Sequence, residues 1–280
     1  MDKLPAGRWA VLLTFPLIPL LVVASGAGFV LPSIYANEAR IGLAQLAGSD
    51  GLNLVVVVPV LIVATIFTLL GWMGARLVWT GAVLYVIYDF IYYTLTMRFN
   101  SLFFVYCAVL GLAFWAVIGV VPSLPAAEAA ARYTRRVPAL GAALLFLVIA
   151  LGAGVNWIKG LSPAVVLGQA PPWVREAGGL TEPAAVLDLA FVLPAMIIIA
   201  IQLLRRRPLG FVFGPILLTF TAFLALLLTA MGIAMEARGF GPAFGGTPFN
   251  AALAAAAVML LALFLRAPGE SKSPAPTAAV

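Results

Sequence analysis

The chain has 280 residues, 64% of them hydrophobic and 9% charged, with a formal net charge of +6 and no histidine. Soluble domains carry roughly 25% charged residues, so this composition, with a mean hydropathy of +1.13, identifies a polytopic membrane protein with no length left for a sizeable soluble domain. The absent histidine excludes imidazole-held haem, zinc or copper, Ser-His-Asp triads and histidine proton relays, and the single cysteine, Cys107, excludes an intrachain disulfide, CxxC redox chemistry and cysteine-held clusters.

Eight apolar segments are long enough to cross a bilayer, at about 9–30, 52–72, 77–97, 101–121, 137–157, 184–204, 209–231 and 248–265. They predict an all-α bundle of eight transmembrane helices forming one domain over 1–266. The tail at 267–280, rich in Pro, Ser and Ala, is too short and polar to fold alone and is expected to be a disordered cytoplasmic extension. The first segment follows Lys3 and Arg8 and contains Pro16 and Pro19, which should bend or break it. Its VVASGAG end has the small residues of a cleavage site, but the apolar run is longer than a signal-peptide core, so the segment is read as retained.

The third segment carries the deepest ionisable residue. Helix rise places Asp89 about 3 Å beyond the midpoint of 77–97, where a carboxylate costs about 2.5–3.5 kcal/mol on insertion scales and must face protein or water. Tyr85 stands four residues before it, and Tyr92 and Tyr93 three and four after, so phenols fall on or beside its helical face. Tyr88 adjoins it in sequence, and Arg98 follows at the end of the segment as a group able to neutralise a carboxylate. Asp188 enters the sixth segment about 6 Å from its start, and Asp50 and Asn53 open the second. Asn156, Glu236 and Asn250 lie at the same level, whereas the opposite half of every segment is almost wholly apolar. Trp157, Tyr35 and Asn250 fit an ordinary interfacial belt. Asp89 and Asp188 do not, because carboxylates at those depths need partners.

Two halves of four segments are comparable, and a duplication would be parallel, with its axis along the membrane normal. Each second segment has an aspartate towards its start and a proline further in, Asp50 with Pro59 and Asp188 with Pro194, and each third follows a short arginine-bearing turn. The aspartate-to-proline spacings differ, so coincidence stays open as the alternative. Gly210 and Gly214 form a GxxxG, the usual signal for close helix packing. With an inside N-terminus, only Arg40, Arg98, Lys159, Arg175 and Arg238 of the 16 basic residues fall outside. The positive-inside bias therefore places both termini in the cytoplasm, and the basic charge reads as topogenic rather than as a nucleic-acid surface. No nucleotide-binding glycine motif is present, and Lys3, Lys159 and Lys272 all lie outside a span interior where a retinal would attach.

The segments LPSIY (31–35), GSD (48–50), YDFIYYT (88–94) with RFNSLF downstream, EPAAVLDLAFVLP (182–194) and RRRPLGFVFGPILL (205–218) resemble a family of uncharacterised bacterial multi-span proteins with no established activity. The resemblance spans most of the chain. It implies an eight-helix bundle in a bacterial inner membrane and carries over no catalytic residue.

Three functions fit these residues. The first is a binding or transport protein whose outward acidic and aromatic pocket, lined by Asp89, Asp188, Tyr85, Tyr88 and Tyr92 with Asp50 and Arg98 nearby, takes a small cationic or protonated ligand. The second is a non-catalytic membrane subunit in which the aspartates fix helix register against a partner protein. The third is an intramembrane hydrolase with Asp89 and Asp188 as paired acid and base, which needs the two to converge. The balance leans away from an enzyme, and no cofactor or metal is called for.

Overall fold

Segments this apolar satisfy their backbone polar groups inside the bilayer only as helices. Among the described residues eight helices are long and apolar enough to cross a membrane: α1 (Arg8–Val30), α2 (Arg40–Leu69), α3 (Met73–Leu95), α4 (Phe103–Ser123), α5 (Ala139–Leu167), α6 (Pro183–Leu204), α7 (Pro208–Glu236) and α8 (Thr247–Leu265). The structure is a computed structural model and describes residues 7–124, 126, 129, 138–241 and 245–266. The tail expected at 267–280 lies outside the described residues, as does most of the basic connection before α5. All eight spans are present, but α2 starts at Arg40, well before the expected 52, and α5 and α7 run past 157 and 231. The stretch RIGLAQLAGSDGL is too polar to register as a span. It is nevertheless helical, with Ala44, Leu46, Gly48, Ser49 and Asp50 buried. Asp50 therefore sits inside a helix rather than at its mouth. α1 is interrupted at Leu13, and the helix that resumes at Thr14 accommodates Pro19 in its interior.

Lipid offers no hydrophobic drive for helix association, so close packing decides which helices sit at the centre. In α7 72% of the most apolar stretch is buried and in α3 56%, against 22–39% in the other six. α7 lies against α2, α3, α6 and α8, while α3 bridges α2 and α4 to α7. Glycines set these approaches. A Cβ on Gly48 would lie 2.6 Å from the Met231 backbone, and one on Gly81 would run into the carbonyl oxygen of Ile216 and the Thr219 side chain. Gly210 likewise brings α7 against the end of α6, 2.7 Å from the Leu203 backbone, with Gly214 against the Leu203 side chain.

The α2–α3 and α6–α7 pairs are the same structural unit at one constant shift along the sequence. Each second helix contains a π turn, Asn53–Val57 or Asp188–Val192, followed by Pro59 or Pro194. Each ends at a leucine, Leu69 or Leu204. The connection then passes through a left-handed residue, Gly71 or Arg206, and closes with Trp72 N–H donating to the Phe67 carbonyl or Arg207 N–H to the Gln202 carbonyl, 2.9 Å each. On the same shift Tyr85 corresponds to Phe220 and Tyr88 to Phe223. Those rings meet crosswise, Tyr85 with Phe223 at 5.3 Å and Tyr88 with Phe220 at 5.7 Å. Gly81 meets its own counterpart, Ile216. Such exchanged contacts arise where a pseudo-twofold axis runs between α3 and α7. The repeat therefore pairs Asp188 with Asn53, not with Asp50, which removes the unequal spacing to proline.

Filling the close approaches should be costly. Gly48→Val and Gly81→Val are expected to lower stability by about 1–3 kcal/mol through overpacking, whereas Gly26→Ala, whose added Cβ meets nothing within 4 Å, should leave the detergent-solubilised unfolding midpoint unchanged.

Candidate functional site

α3 presents two polar faces to two different neighbours. Tyr85, Asp89 and Tyr93 recur every four residues and share one face, and all three are buried. Tyr88 and Tyr92 turn towards α6.

On the first face α2 supplies the partners. Ser49 and Asn53 stand one turn apart and both reach Asp89: Ser49 Oγ donates to Oδ1 at 3.1 Å and Asn53 Nδ2 to Oδ2 at 2.8 Å. Asn53 Nδ2 also donates to Ser25 Oγ of α1 at 3.2 Å, and Tyr85 Oη reaches Asn53 Oδ1 at 3.4 Å. Beside them Asp50 accepts from Tyr93 Oη at 2.7 Å and from Tyr35 Oη at 3.0 Å. Asp50 is 1% exposed, Asp89 4% and Asn53 0%. The groups acting on Asp50 are Tyr93, Tyr35, Ser25 and the charge of Asp89, and those acting on Asp89 are Asn53 and Ser49. None is a cation. Gly28 makes room for this cluster, since a Cβ there would lie 2.8 Å from Asp50 Oδ2 and strike the Tyr35 ring. Burial, and then the Asp50 carboxylate, raise the Tyr35 phenol above its ordinary pKa, which keeps it a donor.

On the second face Asp188 accepts from Tyr88 Oη at 3.1 Å and from Trp157 Nε1 at 2.9 Å. Glu182, just before α6, accepts from Trp173 Nε1 at 3.0 Å. Its carboxyl is raised above the usual range by burial, partly offset by Trp173 and the Ala184 backbone. Tyr92 lies in the field of Glu182 rather than of Asp89.

Several sequence expectations are thereby revised. Asp89 and Asp188 do not form a pair: Asp89 is joined to Asp50 through the α2 network, and Asp188 belongs to a separate cluster, so the convergence that a hydrolase built on Asp89 and Asp188 requires is missing. Among the described residues Arg98 pairs with neither. Its backbone N–H donates to Glu38 Oε1 at 2.7 Å, and its guanidinium lies by Gly178. Tyr35 and Trp157 are ligands of carboxylates rather than belt residues, and Asn250 is buried, with Nδ2 donating to the Gly246 carbonyl at 3.2 Å. Ser25, Ser49 and Glu182 escaped the sequence reading. Ser49 precedes Asp50 and stands one turn before Asn53, a spacing that would have exposed it had 40–52 been read as helix.

Linked groups should not act independently. Asp50→Asn and Asp89→Asn, measured singly and together by thermal unfolding, are expected to depart from additivity by about 0.5–3 kcal/mol, whereas Asp89→Asn and Asp188→Asn should add within about 0.5 kcal/mol.

No protein-family model, curated protein or solved structure matches the chain, so the geometry of the site carries the functional reading.

Proposed function

We propose that this is a multi-span bacterial inner-membrane protein that binds and transports a small ligand, using Asp50 and Asp89 to hold a proton or small cation. Both termini are set in the cytoplasm, as the basic residues suggest, and the face carrying Tyr35 and Arg98 is set outside.

One observation supports this reading above the others. In the repeated unit Ser49, Asp50 and Asp89 correspond to Ala184, Ala185 and Leu224. The second half builds the same π turn, proline and inter-helix turn without either carboxylate, so the architecture does not require them. Two acids taken out of water with only neutral donors around them among the described residues carry a large desolvation cost. A bound proton or cation offsets that cost, and the oxygens of Ser25, Ser49, Asn53, Tyr35, Tyr85 and Tyr93 belong to the hydrogen-bonded cluster around the two acids. The chemistry suits a hard cation or a proton, which oxygen ligands favour.

Thermal unfolding of the purified protein from about pH 4 to pH 9, with sodium, potassium, lithium and simple amines as probes, tests this. One of these conditions is expected to stabilise the wild type, by about 2.7 kcal/mol at a hundredfold excess over the dissociation constant, and to leave Asp50→Asn and Asp89→Asn unmoved. If every probe and pH acts equally on all three proteins, the carboxylates are packing elements and a partner membrane protein becomes the better reading.

A further inference from the structure

Next to Asp50, on the face opposite the termini, lies a cavity of about 160 Å³ lined by Tyr93, Met97, Arg98, Asn100, Phe103 and Tyr106 among others. None of its lining residues is acidic. Two of them hold buried polar atoms without a hydrogen-bond partner, Asn100 Nδ2 and Tyr106 Oη. Tyr106 is 2% exposed, and its hydroxyl lies beside the Asn100 amide and the Tyr35 phenol, in the field of Asp50 and Glu38. Asn100 Oδ1 is already committed, accepting from the Leu102 N–H at 2.9 Å, so the side of Asn100 left over is its donor. Arg98 is exposed, with its guanidinium by Gly178. The nearby acid, Glu38, accepts from the backbone of Arg98. The cavity also adjoins the first turn of α4, which begins at Phe103 and contributes the positive end of a helix dipole. A cation, two unsatisfied hydroxyl or amide groups able to donate, and a helix N-terminus converge on one space. Met97, Phe99 and Phe103 add apolar wall, and the hydroxyl of Thr94, the other polar lining residue, donates to the Phe90 carbonyl.

Groups arranged this way complement an anion that accepts several hydrogen bonds and carries a small apolar body. We infer that the cavity is the binding site for a short organic carboxylate, its carboxylate on Arg98, Asn100 and Tyr106 and its tail against Met97 and Phe103. Tyr93 joins this subsite to the ion site, since it lines the cavity and donates to Asp50. The carboxylate is then the solute and the ion at Asp50 and Asp89 its companion. This coupling rests on the function proposed above. Binding of the carboxylate itself does not.

The experiment uses the full-length protein in detergent at constant ionic strength, with acetate, butyrate and benzoate as probes and chloride and phosphate as comparison anions. At least one carboxylate is expected to raise the wild-type unfolding midpoint saturably, with chloride and phosphate inert. Arg98→Gln, a change at an exposed position, and Tyr106→Phe are each expected to weaken that carboxylate about tenfold or more, while Asp50→Asn retains its binding and loses only the effect of the companion ion. The inference is overturned if no carboxylate binds the wild type, if phosphate or chloride acts as strongly, or if Arg98→Gln binds with unchanged affinity. Carboxylate binding that survives while no ion or pH effect is found at Asp50 and Asp89 upholds the subsite and defeats the ion reading alone.

Discussion

A carboxylate cannot be buried among apolar helices until donors have been brought to it, and most of the ordering in the first half of this protein follows from that constraint. Asp89 leaves α3 where lipid would otherwise begin, and its two oxygens are met by Ser49 and Asn53 from one face of α2. Holding both donors there requires the helix to start as early as Arg40, to remain regular through a polar stretch, and then to loosen into a π turn ahead of Pro59. Proline lacks the N–H that a regular ladder needs, and the π turn absorbs the defect at the level where the polar side chains are needed. Asp50, on the same stretch of helix, then draws Tyr35 and Tyr93 inward. Gly28 leaves the space those two groups occupy.

The repeated unit separates what the fold needs from what the site adds. Both halves place a π turn, a proline and a left-handed turn residue at matching positions, and both send an aromatic pair across the α3–α7 contact. Only the first half carries the acid pair. The second has kept a single carboxylate at the π turn, Asp188, and satisfies it with Tyr88 and Trp157. α3 serves both, one face to each cluster, which is why it is the second most buried helix although it is among the least hydrophobic of the eight.

The residues that matter to the site differ in how visible they were. Asp89 was legible because a charge deep in an apolar run is costly wherever it points. Tyr85 and Tyr93 followed from helical spacing, and α3 alone was enough to place them beside it. Asp188 was legible for the same reason, but its partner was not, because depth along two helices says nothing about which faces meet. Trp157 and Tyr35 looked like belt residues because position near an interface is shared by side chains that face lipid and side chains that turn inward. The 40–52 stretch failed as a span because hydropathy averages over a window, while a buried helix in a bundle tolerates polar residues that have partners. The cavity beside Arg98 combines residues from the end of α3, the following turn and the start of α4, and no pattern in the sequence marks their unsatisfied atoms.

By itself, the sequence determined the class of protein, the number of helices, the presence of an uncompensated acid in the third of them and the absence of histidine and cysteine chemistry. These depend on composition, on segment length set against bilayer thickness, and on the cost of a charge in hydrocarbon, all of which are local. The tertiary structure alone decided that Asp89 lies beside Asp50 rather than Asp188, that Arg98 pairs with neither Asp89 nor Asp188 among the described residues, and that the repeat aligns Asn53 with Asp188. Each of these depends on the rotation of one helix about its axis relative to another. That rotation is set by where glycines let backbones touch and where a π turn shifts the register, and neither is fixed until the helices have packed.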